Sequence, residues 1–79
     1  MLISGVHMSQ LNENESGCIT KICAKGDIRR RLLDLGMIEG TTVECLFKSP
    51  HGDPAAFRIR GAVIALRKED SDTIQIDMY

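Results

Sequence analysis

The stretch from Asp27 to Gly40, DIRRRLLDLGMIEG, decides the fold, because a helix, its stop and a strand-starting turn all lie within it. Asp27 is suited to accept a backbone N–H as N-cap, and Ile28, Leu32 and Leu35 recur at helical spacing. Gly36 stands where the chain must leave the helix in a left-handed conformation. With Gly36 as C′, Met37 becomes C″ and Leu32 becomes C3, the pair whose apolar contact accompanies a Schellman stop. Glu39-Gly40 then makes a second turn, and Thr42 opens a β-branched run that a helix would carry only at a cost.

Length limits what this helix can serve. Seventy-nine residues make one domain, and a chain of this size buries only about 60 to 65 per cent of its unfolded surface. The result is one small core and little room for a deep cleft. With 43% hydrophobic and 27% charged residues, the composition is that of a soluble globular domain. A net charge of −1 removes the bulk attraction on which nucleic-acid binders depend. No apolar run approaches the roughly 20 residues needed to span a bilayer, and no signal-peptide pattern opens the chain, so a cytoplasmic location is expected.

Outward from the helix, Met1 to Glu15 has no clean period and reads as a flexible lead-in ahead of a domain at residues 16–79, with Met8 a second candidate start and Leu11 the one residue expected to dock on the core. Ser16-Gly17 reads as a turn. Cys18 to Cys23 alternates as a strand whose inner face the period does not choose. After the helix, Thr42 to Lys48 places Val43, Cys45 and Phe47 on one face. Ser49 to Pro54, SPHGDP, is a hairpin loop, and Ala55 to Arg60 returns with Phe57 and Ile59 inward and Arg58 and Arg60 outward. Gly61 permits a tight bend before the short strand Ala62 to Leu66. Lys68 to Asp72 is expected to form a single 3₁₀ or α turn, and Thr73 to Met78 closes the chain with Ile74 and Ile76 inward. The fold class is therefore mainly β: a small, partly open barrel of about five antiparallel strands with one inserted short α-helix.

Candidate chemistry is sparse. Cys18, Cys23 and Cys45 match no zinc spacing and read as reduced thiols, while His7 and His51 lie far apart without a carboxylate or cysteine at a ligand-like offset. No nucleophile, general base and orienting group occur together, so no enzyme is expected. The Gly52-Asp53-Pro54 string is a turn, since phosphate loops need a glycine spacing absent here. A helix-turn-helix is excluded because Thr42 to Lys48 has period two where a recognition helix needs a period near 3.6. A partner surface is the remaining candidate. Arg29, Arg30 and Arg31 project opposite Ile28, Leu32 and Leu35, Leu33 lies off the apolar stripe, and Met37 and Ile38 follow in the turn. This basic patch with apolar residues fits an acidic groove on a partner. It also fits a solvated face carrying an Arg30–Asp34 pair worth about 0.3 to 0.5 kcal/mol, and Met37 and Ile38 fit core plugs as well as contacts.

From Ser16 to Ile76 the chain resembles the FeoA family of bacterial ferrous iron transport. The resemblance rests on RRRLLDLGMIEG from Arg29 to Gly40, GDP from Gly52 to Pro54, RIRG from Arg58 to Gly61, and IALRKED from Ile64 to Asp70 followed by Ile74 and Ile76. It implies an SH3-like barrel, similar also to the C-terminal domain of iron-dependent repressors, and a non-enzymatic adaptor that regulates FeoB, the membrane Fe(II) transporter with a cytoplasmic GTPase domain. No catalytic residues are implied and no cofactor is required. The alternative is a metal-binding or metal-sensing module for Fe(II) or another divalent ion. Exposed strand edges also allow a weak homo-oligomer.

Overall fold

A computed structural model describes residues 3–79; Met1, one of the two candidate starts, lies outside the described residues. Six antiparallel strands form one open sheet in the order β1-β6-β2-β3-β4-β5. They are β1 (Ile3–His7), β2 (Ser16–Ile22), β3 (Thr42–Lys48), β4 (Ala55–Ile59), β5 (Ala62–Leu66) and β6 (Ile74–Met78). Helix α1 (Gly26–Asp34) is inserted between β2 and β3, and the single turn α2 (Lys68–Ser71) between β5 and β6.

Most of the local readings hold. Ile74 and Ile76 face inward, as do Phe57 and Ile59. The loop at residues 49–54 joins β3 to β4, and α2 is the single turn expected. The bend expected at Gly61 is present, but β4 stops at Ile59, one residue short of the expected Arg60; Arg60 joins Gly61 in the turn, with φ of 52° and 82°, the signature of a type I′ hairpin.

The N-terminal segment departs from the expected lead-in. Residues 3–7 pair with β6 as a sixth strand, a 3₁₀ turn follows at Met8–Gln10, and Met8 and Leu11 are both fully buried. The Ser9 hydroxyl donates to the Asp72 carboxylate, and the Lys48 ammonium donates to the Ser9 carbonyl at 3.3 Å. No period announces β1 because Gly5, at φ 74°, sits within a register shift between Ile3 and Val6.

Two further differences have the same cause. In β2 a register shift between Ile19 and Lys21 lets Ile19 and Ile22 both point inward, which no strict alternation permits. The strand also begins earlier than expected, at Ser16, so Gly17 lies within it. There a Cβ would stand 2.7 Å from the Asp77 carbonyl oxygen. In β3 the extra residue falls between Cys45 and Phe47, so Val43 and Cys45 are buried while Phe47, expected beside them, is 56% exposed.

Candidate functional site

Helix α1 is held at both ends and from beneath. Its stop is the Schellman motif in full: Gly36 N–H donates to the Leu33 carbonyl and Met37 N–H to the Leu32 carbonyl, each at 3.0 Å. Gly36 has φ 100°, and Leu32 and Met37 are both completely buried. At the other end Asp27 lies inside the first turn, where it complements the helix dipole, and the N-cap position falls to Lys25, which makes no side-chain capping bond.

The apolar stripe is where the helix differs most from expectation. Of Ile28, Leu32 and Leu35, Leu32 alone is buried; Ile28 and Leu35 are exposed. In a sheet this small one helical side chain reaches the core, and the polar contacts of α1 do the rest of the anchoring. The Arg29 guanidinium donates to the Ile22 carbonyl at 3.1 Å, tying the helix to the end of β2. Arg31, expected on a free basic face, instead meets the Asp70 carboxylate of α2 at 2.7 Å. The Arg30–Asp34 ion pair that the solvated-face reading would carry is absent among the described residues.

The predicted partner residues accordingly divide. Met37 belongs to the core and is unavailable for contact, since the Schellman turn drives its side chain onto Leu32. Leu33 and Ile38 are 36% and 42% exposed and line one depression of about 230 Å³ together with Ile22, Arg29 and Glu39. Arg30 and Asp34 border an adjoining depression of about 280 Å³, which shares Arg29 and Leu33. The structure thus brings Arg29, Arg30, Leu33 and Ile38 onto one surface: two guanidinium groups beside two aliphatic side chains, with Asp34 and Glu39 at the margins.

A second groove, of about 560 Å³, lies on the opposite side of α1, between the helix and β5, and includes Ile28, Leu35, Ile64 and Leu66. Sequence reading missed it, although the uncharged run Ala62 to Leu66 was its signal. Among the described residues, the shifted titrating groups, Cys45 and Asp72, lie outside both surfaces. Burial pushes the Cys45 thiol up, and the hydrogen bonds from Ser9 and then Lys68 hold the Asp72 carboxyl below the usual carboxylate range. Among the described residues no group of three or more His, Cys, Asp or Glu side chains gathers around a common point. Cys45 is buried, Cys23 is exposed and Cys18 lies between. No helix among the described residues is long and apolar enough to cross a membrane.

Comparison with known proteins assigns the family. The FeoA domain model matches residues 6–78. A Fe(2+) transport protein A/Fe(2+) transporter FeoB fusion protein of Porphyromonas gingivalis is 27% identical over 92% of this chain, which spans 9% of the fusion protein's length. A FeoA-like protein of Clostridium acetobutylicum superposes with a TM-score of 0.85 at 29% identity, covering 92% of this chain and 85% of the other. FeoA of Stenotrophomonas maltophilia, a prokaryotic SH3 domain protein in complex with zinc, superposes with a TM-score of 0.82 at 26% identity over 92% and 91% of the two chains. A manganese-dependent transcriptional repressor, 13% identical with a TM-score of 0.83 over 94% of this chain and 41% of its own, shares the fold alone. The fold is thus the mainly β, SH3-like one, with six strands where about five were expected. From residue 6 to residue 78, through the helix, its glycine stop and all but the first part of the sheet, the chain belongs to the FeoA family of ferrous iron transport.

Proposed function

We propose that this chain is a cytoplasmic, non-enzymatic accessory protein of ferrous iron uptake that regulates a FeoB transporter by binding its cytoplasmic portion through α1 and the turn that follows. The observation that carries this reading is the fusion of a relative to FeoB in one polypeptide, since a fused module works at high effective concentration beside its partner. The surface of Arg29, Arg30, Leu33 and Ile38 supports it, because aliphatic side chains flanked by guanidinium groups suit an acidic, partly apolar patch.

The test is a titration of isotope-labelled protein with the soluble cytoplasmic domain of its FeoB, with and without guanine nucleotide, read by backbone amide shifts. Shifts are expected to cluster on residues 29–38. The double variant Arg30→Ala, Leu33→Glu is expected to stay folded, because both side chains are exposed, and to bind at least about tenfold more weakly. Unchanged affinity in the folded variant rejects this surface. No shifts with FeoB, followed by specific shifts on adding Fe(II), would favour the metal-binding alternative instead.

A further inference from the structure

Strand β5 is an edge of the sheet, paired with β4 alone. Its hydrogen-bonding phase follows from the turn that starts it. The two-residue type I′ turn at Arg60-Gly61 makes the flanking Ile59↔Ala62 the first hydrogen-bonded pair of the ladder. The register then runs without a shift through Arg58↔Val63, Phe57↔Ile64, Ala56↔Ala65 and Ala55↔Leu66. Hydrogen-bonded pairs alternate along an antiparallel ladder, so Ala62, Ile64 and Leu66 bond to β4. The N–H and C=O groups of Val63 and Ala65 therefore face the open edge, and neither residue makes a backbone hydrogen bond elsewhere.

This edge lacks the devices that normally block strand addition. It contains no proline and no charge from Ala62 to Leu66, and Val63 is 60% exposed. Beside it runs the groove whose far wall is Ile28 and Leu35 of α1, two apolar side chains that the core leaves uncovered. The charges sit at the ends. Arg60 precedes the strand and Arg67 follows it, and neither has an ion-pair partner among the described residues. Of the two acids on the groove's margin, Asp70 is neutralised by Arg31, which leaves Glu69 against these two arginines.

We propose that β5 is a docking edge for an extended apolar segment of another protein that carries acidic residues at both its ends. The segment adds as a seventh strand, satisfying the Val63 and Ala65 backbone groups, setting alternate side chains against Ile28 and Leu35, and placing its carboxylates near Arg60 and Arg67. A second copy of this chain is the poorer occupant. Antiparallel self-pairing centred on Ile64 sets Arg67 of each copy opposite Gly61 of the other and so next to its Arg60, bringing these two arginines together at each end of the ladder, and like charges so placed destabilise the pairing. The inference concerns the opposite side of α1 from the surface proposed for FeoB and stands independently of it.

The experiment titrates the isotope-labelled protein with the peptide DEVTVTVED and, separately, with KKVTVTVKK, at about 0.15 M salt. The acidic-ended peptide is expected to shift the Val63 and Ala65 amides, to slow their hydrogen exchange, and to bind about tenfold more tightly than the basic-ended one. Val63→Pro removes an N–H that β4 does not use, so this variant is expected to keep the native spectrum and lose the peptide. Val63→Glu, which puts a carboxylate on the edge beside those of the peptide without altering the backbone, is expected to weaken binding of the acidic-ended peptide likewise. No shift on β5 with either peptide overturns the proposal, as does equal affinity for the two. Concentration-dependent shifts at Val63 and Ala65 without peptide overturn it in favour of self-pairing.

Discussion

Replacing Gly36 by valine tests the hinge on which this fold turns. The residue has φ 100°, beyond even the left-handed well near about +57° that other residues occasionally visit. A Cβ built there would meet the Arg60 Cδ at 3.5 Å and the Ile59 Cγ2 at 3.6 Å. These are ordinary contacts, so the cost is one of backbone conformation and not of collision. The variant has two ways to respond. If it keeps the native φ, an L-residue there costs about 1 to 2 kcal/mol, and β-branching raises this to roughly 2 to 3 kcal/mol. If it relaxes, it breaks the two Schellman hydrogen bonds, each worth about 0.5 to 1.5 kcal/mol, and draws Met37 from full burial, a further loss of about 1.5 to 3 kcal/mol. The first route is cheaper, so a destabilisation of about 2 to 3 kcal/mol is expected, a fall in Tm of about 10 to 20 °C for a domain of this size. Thermal and urea unfolding followed by circular dichroism measure it. The order should be Gly36→Asn least affected, then alanine, then valine, because asparagine tolerates positive φ. A valine variant that melts within about 2 °C of the wild type would refute the assignment of the helix stop.

Three other outcomes follow from the same structure. Gly17→Ala should destabilise by about 1 to 3 kcal/mol for a different reason, since its Cβ would lie 2.7 Å from the Asp77 carbonyl oxygen and 2.9 Å from the Ile76 Cδ1; an unchanged urea midpoint would contradict the close approach of β2 to β6. Ser9→Ala removes the hydrogen bond that does most to hold the Asp72 carboxyl low, ahead of the one from Lys68. A folded-state pKa below the unfolded value of about 3.9 gives stability that is present above that pH and lost as pH falls through the folded midpoint. The variant should therefore show the Asp72 midpoint moved up and less stability to lose on acidification, and a carboxyl-carbon NMR titration with an unmoved midpoint would reject the contact. Alkylation at about pH 8 should modify exposed Cys23 first and Cys45 only after unfolding. Burial raises the Cys45 thiol, Lys48 pulls it down, and Glu13 and Glu15 raise it further; equal rates at the two cysteines would argue against its burial.

The candidate site was only half legible in the sequence. Arg29, Arg30, Leu33 and Ile38 share a surface, as their helical spacing and the following turn suggested. Met37 was grouped with them although the Schellman stop already pointed it at Leu32, and the structure buries it there while Ile38, one residue on, stays exposed. Arg31 looked equivalent to its neighbours until α2, far along the chain, supplied Asp70. The groove beside β5 was illegible because an edge becomes an edge only when every other strand has found its neighbour.

What the sequence determined by itself are the features set by a few adjacent residues: the α1 stop at Gly36, the 49–54 hairpin loop, the bend at Gly61, and the inward alternation of β4 and β6. Steric limits on φ and ψ and the two-residue period of a strand act over one or two residues, so local composition suffices to specify them. Tertiary structure alone decided the rest. The first strand exists because β6 offers it an edge, and the inner faces of β2 and β3 change phase where the sheet takes an extra residue. The Ser9 and Arg31 contacts join residues 63 and 39 positions apart. Each of these depends on a backbone or side-chain partner that the chain brings near only by closing a long loop, and the entropy of that closure is repaid by the collective packing of the whole sheet, which no local pattern records.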